Sequence, residues 1–91
     1  MGFASRWLLP GPRDRLALVI SYTVILERDP DGGYSVWAPD LPGCASQGDT
    51  HDEALEAIRE AIALYIESLK ADGQPIPEPR TSAEGVQVDA A

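Results

Sequence analysis

Cysteine, histidine and cationic side chains are all scarce in this chain. Cys44 is the only cysteine, so no intrachain disulfide can form and a reducing compartment suits the protein best. His51 is the only histidine, which leaves a His/Cys metal site without enough ligands. Lys and Arg number 7 against 15 Asp and Glu, a formal net charge of −8. That balance opposes nonspecific nucleic-acid binding, which needs cations to neutralise phosphates. Long apolar runs are also missing. None reaches the roughly 18 residues of a membrane span, and Trp7-Leu8-Leu9 is too short for a signal peptide. A cytoplasmic location is expected.

Charge is unevenly spread. Residues 1–18 carry Arg6, Arg13 and Arg15 against Asp14, a net of +2, so the remainder carries −10. An acidic body suits a basic protein partner, and it also serves solubility. Residues 1–16, broken by Pro10-Gly11-Pro12, read as a flexible leader ahead of a folded domain over 17–91. Trp7 in that leader is a candidate anchor on a partner. One small domain is all that 91 residues allow. Its core is marginal alone, so help from self-association or from a partner is expected.

The β-branched and aromatic run from Leu18 to Arg28 predicts a first strand. Asp29-Pro-Asp-Gly-Gly33 predicts a turn, and Tyr34 to Ala38 a second strand, together a hairpin. Symmetric pairing places Arg28 opposite Tyr34, Leu26 opposite Val36 and Val24 opposite Ala38. Side chains alternate across a sheet. Tyr22, Val24, Leu26, Tyr34, Val36 and Ala38 then share a core face, while Thr23, Ile25, Glu27, Ser35 and Trp37 share the other. Pro39 cannot donate a ladder hydrogen bond, so the second strand ends near it. Cys44 to Gly48 predicts a third strand.

Thr50 with Glu53 three residues on has capping-box spacing. A helix is expected from His51 to about Asp72. Leu55, Ile58, Ile62, Tyr65, Ile66 and Leu69 form its apolar stripe at steps of three and four. Gly73 is placed to end it. The prolines of Gln74-Pro-Ile-Pro-Glu-Pro79 predict an extended segment, and Gly85 to Val88 a short last strand. The expected fold is α+β, in the order β-β-β-α-β. A three-stranded antiparallel meander carries one long helix on one face, and the last strand lies parallel to the first.

Catalytic chemistry is not legible. His51 opens the helix without a nucleophile beside it in sequence, except Thr50. Cys44 reads as a small hydrophobe. Asp29, Asp31, Asp40, Asp49 and Asp52 raise a two-metal nuclease reading. Yet the first two fall in a turn and the last two at a helix start, where each has a structural reason. No enzyme activity, metal or cofactor is expected. Tyr34 and Trp37 remain as candidates for a binding surface, or as rings that finish a small core.

Several segments agree in order and spacing with one family. They are Tyr22-Thr-Val-Ile-Leu-Glu27, Asp31-Gly-Gly-Tyr34, Pro39-Asp-Leu-Pro-Gly-Cys44, Gln47-Gly-Asp-Thr50 and Glu53-Ala-Leu55. Over roughly Ser21 to Pro79 the chain resembles the HicB antitoxins. The resemblance implies a partial RNase H-like fold and a non-catalytic role: binding a small, basic RNA-cleaving toxin of the HicA type and covering its active site. It implies a cytoplasmic homo-oligomer. It places partner contacts on Tyr34, Trp37, Asp40, Leu41, Pro42 and Gly43. Many members carry a C-terminal DNA-binding segment, whereas about a dozen residues follow Pro79 here. DNA binding is therefore not expected. The alternative is a stand-alone homo-oligomeric module that regulates or binds a ligand without a toxin.

Overall fold

The computed structural model describes residues 19–91, so the expectations for the leader and for Trp7 lie outside the described residues. Strands β1 (Ile25–Arg28), β2 (Tyr34–Trp37) and β3 (Ala45–Gly48) form one antiparallel sheet in that order, followed by helix α1 (His51–Ala71). The hairpin register is the expected one, with Leu26 opposite Val36 and Arg28 opposite Tyr34. The β1–β2 loop closes through Gly32 N–H to the Asp29 carbonyl and Asp29 N–H to the Gly33 carbonyl, both 3.0 Å.

β1 is shorter than its composition predicts, and the reason lies across the hairpin. After Trp37 the chain turns twice in succession. The Ala38 carbonyl accepts from Leu41 N–H at 3.0 Å, and the Leu41 carbonyl accepts from Cys44 N–H at 2.9 Å. Ala38 N–H is itself given to the Cys44 carbonyl at 3.0 Å. Pro39 and Pro42 preset the first central φ of these turns, and Gly43 supplies the positive φ of +81° that the second requires. Residues before Ile25 therefore have no ladder partner on β2.

α1 begins and ends where local chemistry dictates. Thr50 Oγ1 accepts from Glu53 N–H at 3.1 Å. Glu53 reaches back to Asp49 N–H, also 3.1 Å, one residue earlier than in a standard capping box. At the far end Gln74 N–H donates to the Leu69 carbonyl at 2.8 Å and Gly73 N–H to the Lys70 carbonyl at 3.1 Å. With Gly73 at φ +68° this is a Schellman motif.

The helix packs chiefly on β3 and β2, away from β1. Val36, Ala38, Leu41, Cys44, Ala54 and Ile58 form the buried core. Tyr22, Val24, Leu26, Tyr34, Ala61, Ile62 and Tyr65 close around it. The expected stripe thus faces the sheet through Ile58, Ile62 and Tyr65, joined by Ala54 and Ala61.

The last strand expected over Gly85–Val88 is a correction. Residues 74–91 contain no strand, and Val86 and Val88 are 79% and 78% exposed. Pro75, Pro77 and Pro79 bring no N–H to a ladder. The next two donors, Arg80 N–H and Thr81 N–H, are taken by the Asp40 carboxylate. Two valines among the ten residues after Thr81 bury too little to offset the ordering of that segment against its own body.

Candidate partner interface

The sheet has one face under the helix, and among the described residues no helix or strand covers the other. Alternation along the strands puts Ile25, Glu27, Ser35, Trp37, Ala45 and Gln47 on the free side. Trp37 stands opposite Ile25 on one neighbour and Ala45 on the other. The residue is 36% exposed, flanked by small and aliphatic side chains on a strand paired on both sides. A large aromatic held rigidly at low entropic cost is the usual form of an interface anchor.

The six residues expected at the contact divide into four groups. Trp37, Pro42 and Gly43 are exposed. Tyr34 points to the opposite face, over the helix start. It meets His51 edge-on with ring centroids 5.7 Å apart, and the Arg28 guanidinium lies 6.0 Å from its ring centre. Leu41 is completely buried, so the expectation of a partner contact through its side chain is corrected. Its burial follows from the double turn, which points the residue between Pro39 and Pro42 inward to plug the core.

Asp40 is committed to its own chain. Oδ2 accepts from Arg80 N–H at 2.7 Å and Thr81 N–H at 2.9 Å, and Oδ1 accepts from the Thr81 hydroxyl at 2.7 Å. The Thr23 hydroxyl donates to the Thr81 carbonyl at 2.6 Å, and the Tyr22 hydroxyl donates to the Pro77 carbonyl. Together they fasten the segment after α1 beside the residues that lead into β1. The Arg80 and Thr81 donors hold the Asp40 carboxyl below its ordinary value of 3.8. Burial, then the Asp40 charge, raises the Tyr22 phenol. Burial alone raises the Cys44 thiol, which rules against a ready thiolate there.

A depressed carboxyl stabilises the fastened state above the unfolded pKa, and that contribution is lost as pH falls through the folded value. The NMR amide shifts of Arg80 and Thr81 should therefore hold steady down to about pH 4 and move below it. In Asp40→Asn they should be displaced at neutral pH and insensitive to acid. Wild-type shifts in that variant would show that the carboxylate does not hold the segment.

A concavity of about 450 Å³ lies where the hairpin loop meets the start of α1 and is edged by Asp29, Asp49 and Glu53. Among the described residues no three His, Cys, Asp or Glu side chains gather closely enough to hold a metal ion. No helix among them is long and apolar enough to cross a membrane. Sequence reasoning missed the Asp40 clasp, whose partners lie 40 and 41 residues away and carry no local signal.

Taken together, the described residues define a small acidic α+β domain with a three-stranded sheet and one helix on one of its faces. The chain belongs to a family described as "HicB_like antitoxin of bacterial toxin-antitoxin system", whose model matches residues 22–90. This is a family of antitoxins, and the chain is not an enzyme. It is 52% identical over 71 residues to a UPF0150 protein of Thermoplasma acidophilum, covering 78% of this chain and 100% of that one. To a UPF0150 protein of Synechocystis it is 57% identical over 60 residues, 66% of this chain and 76% of that one. Antitoxin HicB 1 of Photorhabdus laumondii is 37% identical over 78 residues, and the match spans 86% of this chain but 45% of that antitoxin. Among solved structures, a chain of a HicA3 and HicB3 toxin-antitoxin complex aligns with a TM-score of 0.56 and 30% identity, over 67% of this chain and 70% of that one.

Proposed function

We propose that this protein neutralises a small, basic RNA-cleaving toxin of the HicA type by docking on it and covering its active site. The likeness to a chain of a HicA3–HicB3 complex carries this reading. Steric and electrostatic occlusion is the mechanism, with no bond made or broken. The acidic body supports it, since opposite charge speeds encounter and fixes orientation.

The docking surface is the helix-free face, centred on Trp37 and extended by the Pro42-Gly43 turn. Leu41 and Asp40 hold that turn in shape from behind. Tyr34 lies on the other face and serves a partner only if that partner wraps the hairpin end. The β-β-β-α order fits a partial RNase H-like arrangement. A cytoplasmic homo-oligomer fits the single reduced cysteine and the small core. The second reading, a stand-alone homo-oligomeric module without a toxin, is favoured by an apolar groove that the described residues form between α1 and Ile20–Val24.

Co-expression with a small basic protein encoded beside this gene tests the proposal. A stable complex and relief of growth arrest are expected. Trp37→Glu should weaken that complex by about 30-fold or more, the scale of one interface hot spot, while leaving thermal unfolding close to wild type. No complex and no relief would overturn the proposal.

A further inference from the structure

The turn that carries Pro42 and Gly43 belongs to no strand or helix. Its own hydrogen bonds, Leu41 N–H to the Ala38 carbonyl and Cys44 N–H to the Leu41 carbonyl, span three residues each. Leu41 pins it on the inner side, within the core. On the outer side, among the described residues, its side-chain tie to a distant segment is the Asp40 carboxylate. All the donors to that carboxylate come from Arg80 and Thr81, at 2.7 to 2.9 Å. Bonds to an ionised acceptor of this kind are stronger than neutral ones.

The segment at the other end of the tie has anchors of its own. The Thr81 carbonyl accepts from the Thr23 hydroxyl at 2.6 Å, and the Pro77 carbonyl accepts from the Tyr22 hydroxyl. Pro75, Pro77 and Pro79 fix alternate φ angles along it. A stiff segment held at two points beside the residues that lead into β1 serves as a fixed post. Asp40 moors the turn to that post.

We infer that Thr81 and Arg80 are positioning residues for the partner-docking turn: through Asp40 they hold closed the turn that presents Pro42 and Gly43, and partner docking is coupled to closure of this clasp. This rests on the docking face proposed above. With the clasp open, the turn keeps its Leu41 anchor but loses its outer mooring. A partner seated on Pro42 and Gly43 then has to order those residues as it binds, which weakens the complex. By linkage, a partner that prefers the closed turn tightens the clasp by the same factor.

Amide hydrogen exchange followed by NMR tests this on wild type, Thr81→Val and Thr81→Ser. Valine keeps the branched shape and the backbone N–H but removes the hydroxyl, whereas serine keeps the hydroxyl. In Thr81→Val the Leu41 and Cys44 amides should exchange about 3- to 10-fold faster, the scale of one net hydrogen bond. Amides in the middle of α1 should not change, and Thr81→Ser should match wild type. Unchanged exchange at Leu41 and Cys44 would overturn the inference. Equal acceleration throughout α1 would also overturn it, because the hydroxyl would then serve general stability.

The coupling is read in the complex with the small basic protein encoded beside this gene. Arg80 and Thr81 amides should exchange about 3- to 10-fold more slowly once that protein is bound, and the added protection should vanish in Asp40→Asn. Protection that survives in Asp40→Asn would show direct contact and overturn the coupling. Failure of that protein to bind would overturn the docking reading and the coupling with it. The exchange of Leu41 and Cys44 in the free protein still decides whether the clasp holds the turn.

Discussion

Gly48→Ala should remove most of the stability of this domain. A Cβ at residue 48 would stand 2.7 Å from the Glu53 carbonyl carbon and 2.9 Å from Ala54 Cα, and nearer still to the Ala54 nitrogen. All three are backbone atoms in the first turn of α1, so no side chain can swing aside. The strand or the helix must move as a whole. Overpacking of this kind costs about 3 kcal/mol, against the roughly 3–5 kcal/mol that a single small core supplies. A fall in melting temperature of about 12–24 °C follows for a domain of this size. Gly43→Ala is the control. Gly43 has a φ of +81° but open space around it, so its loss carries only the left-handed backbone penalty of about 1–2 kcal/mol. Equal melting of Gly48→Ala and wild type would mean that β3 and α1 do not approach as closely as described.

The second large effect is expected at Leu41. This side chain is fully buried at the centre of a core of six residues. Leu41→Ala leaves a cavity among Val36, Ala38, Cys44, Ala54 and Ile58, for a loss of about 2–5 kcal/mol. Urea unfolding should show a lower midpoint with an unchanged slope. Pro42→Ala, next in the chain but exposed, should lose less than about 1 kcal/mol. The pair distinguishes a core role from a surface role for this turn. If Leu41→Ala melted like wild type while weakening partner binding, the residue would be a contact after all.

These two positions mark a boundary in what the residues reveal. The hairpin register was legible because alternation along Tyr22–Leu26 and Tyr34–Ala38 admits one pairing about the Asp29–Gly33 turn that gathers the apolar set on one face. The helix was legible because cap, stripe and C′ glycine agree. The same alternation already separates Tyr34 from Trp37, so grouping them as one surface ran against the strand's own period. Leu41 reads as exposed because it lies between two prolines in a turn, where polarity and loop position say surface. Only the two interlocked turns aim it inward. Gly48 reads as the end of the third strand, and nothing local reveals the helix backbone pressed against it.

The tail shows the same limit from the other side. Gly85-Val-Gln-Val88 has the composition of a strand, yet composition cannot supply a neighbour. The proline segment before it and the Asp40 clasp decide where it goes.

The amino-acid order thus determined what is local or periodic: three extended segments, one capped amphipathic helix, an acidic body and the family to which they belong. Tertiary structure alone decided which glycine had to be bare, which turn residue became core and which carboxylate was occupied. The physical reason is range. Propensity, capping and periodicity act within a few residues, whereas close backbone approach and a hydrogen bond across some forty residues exist only once distant segments have been brought together.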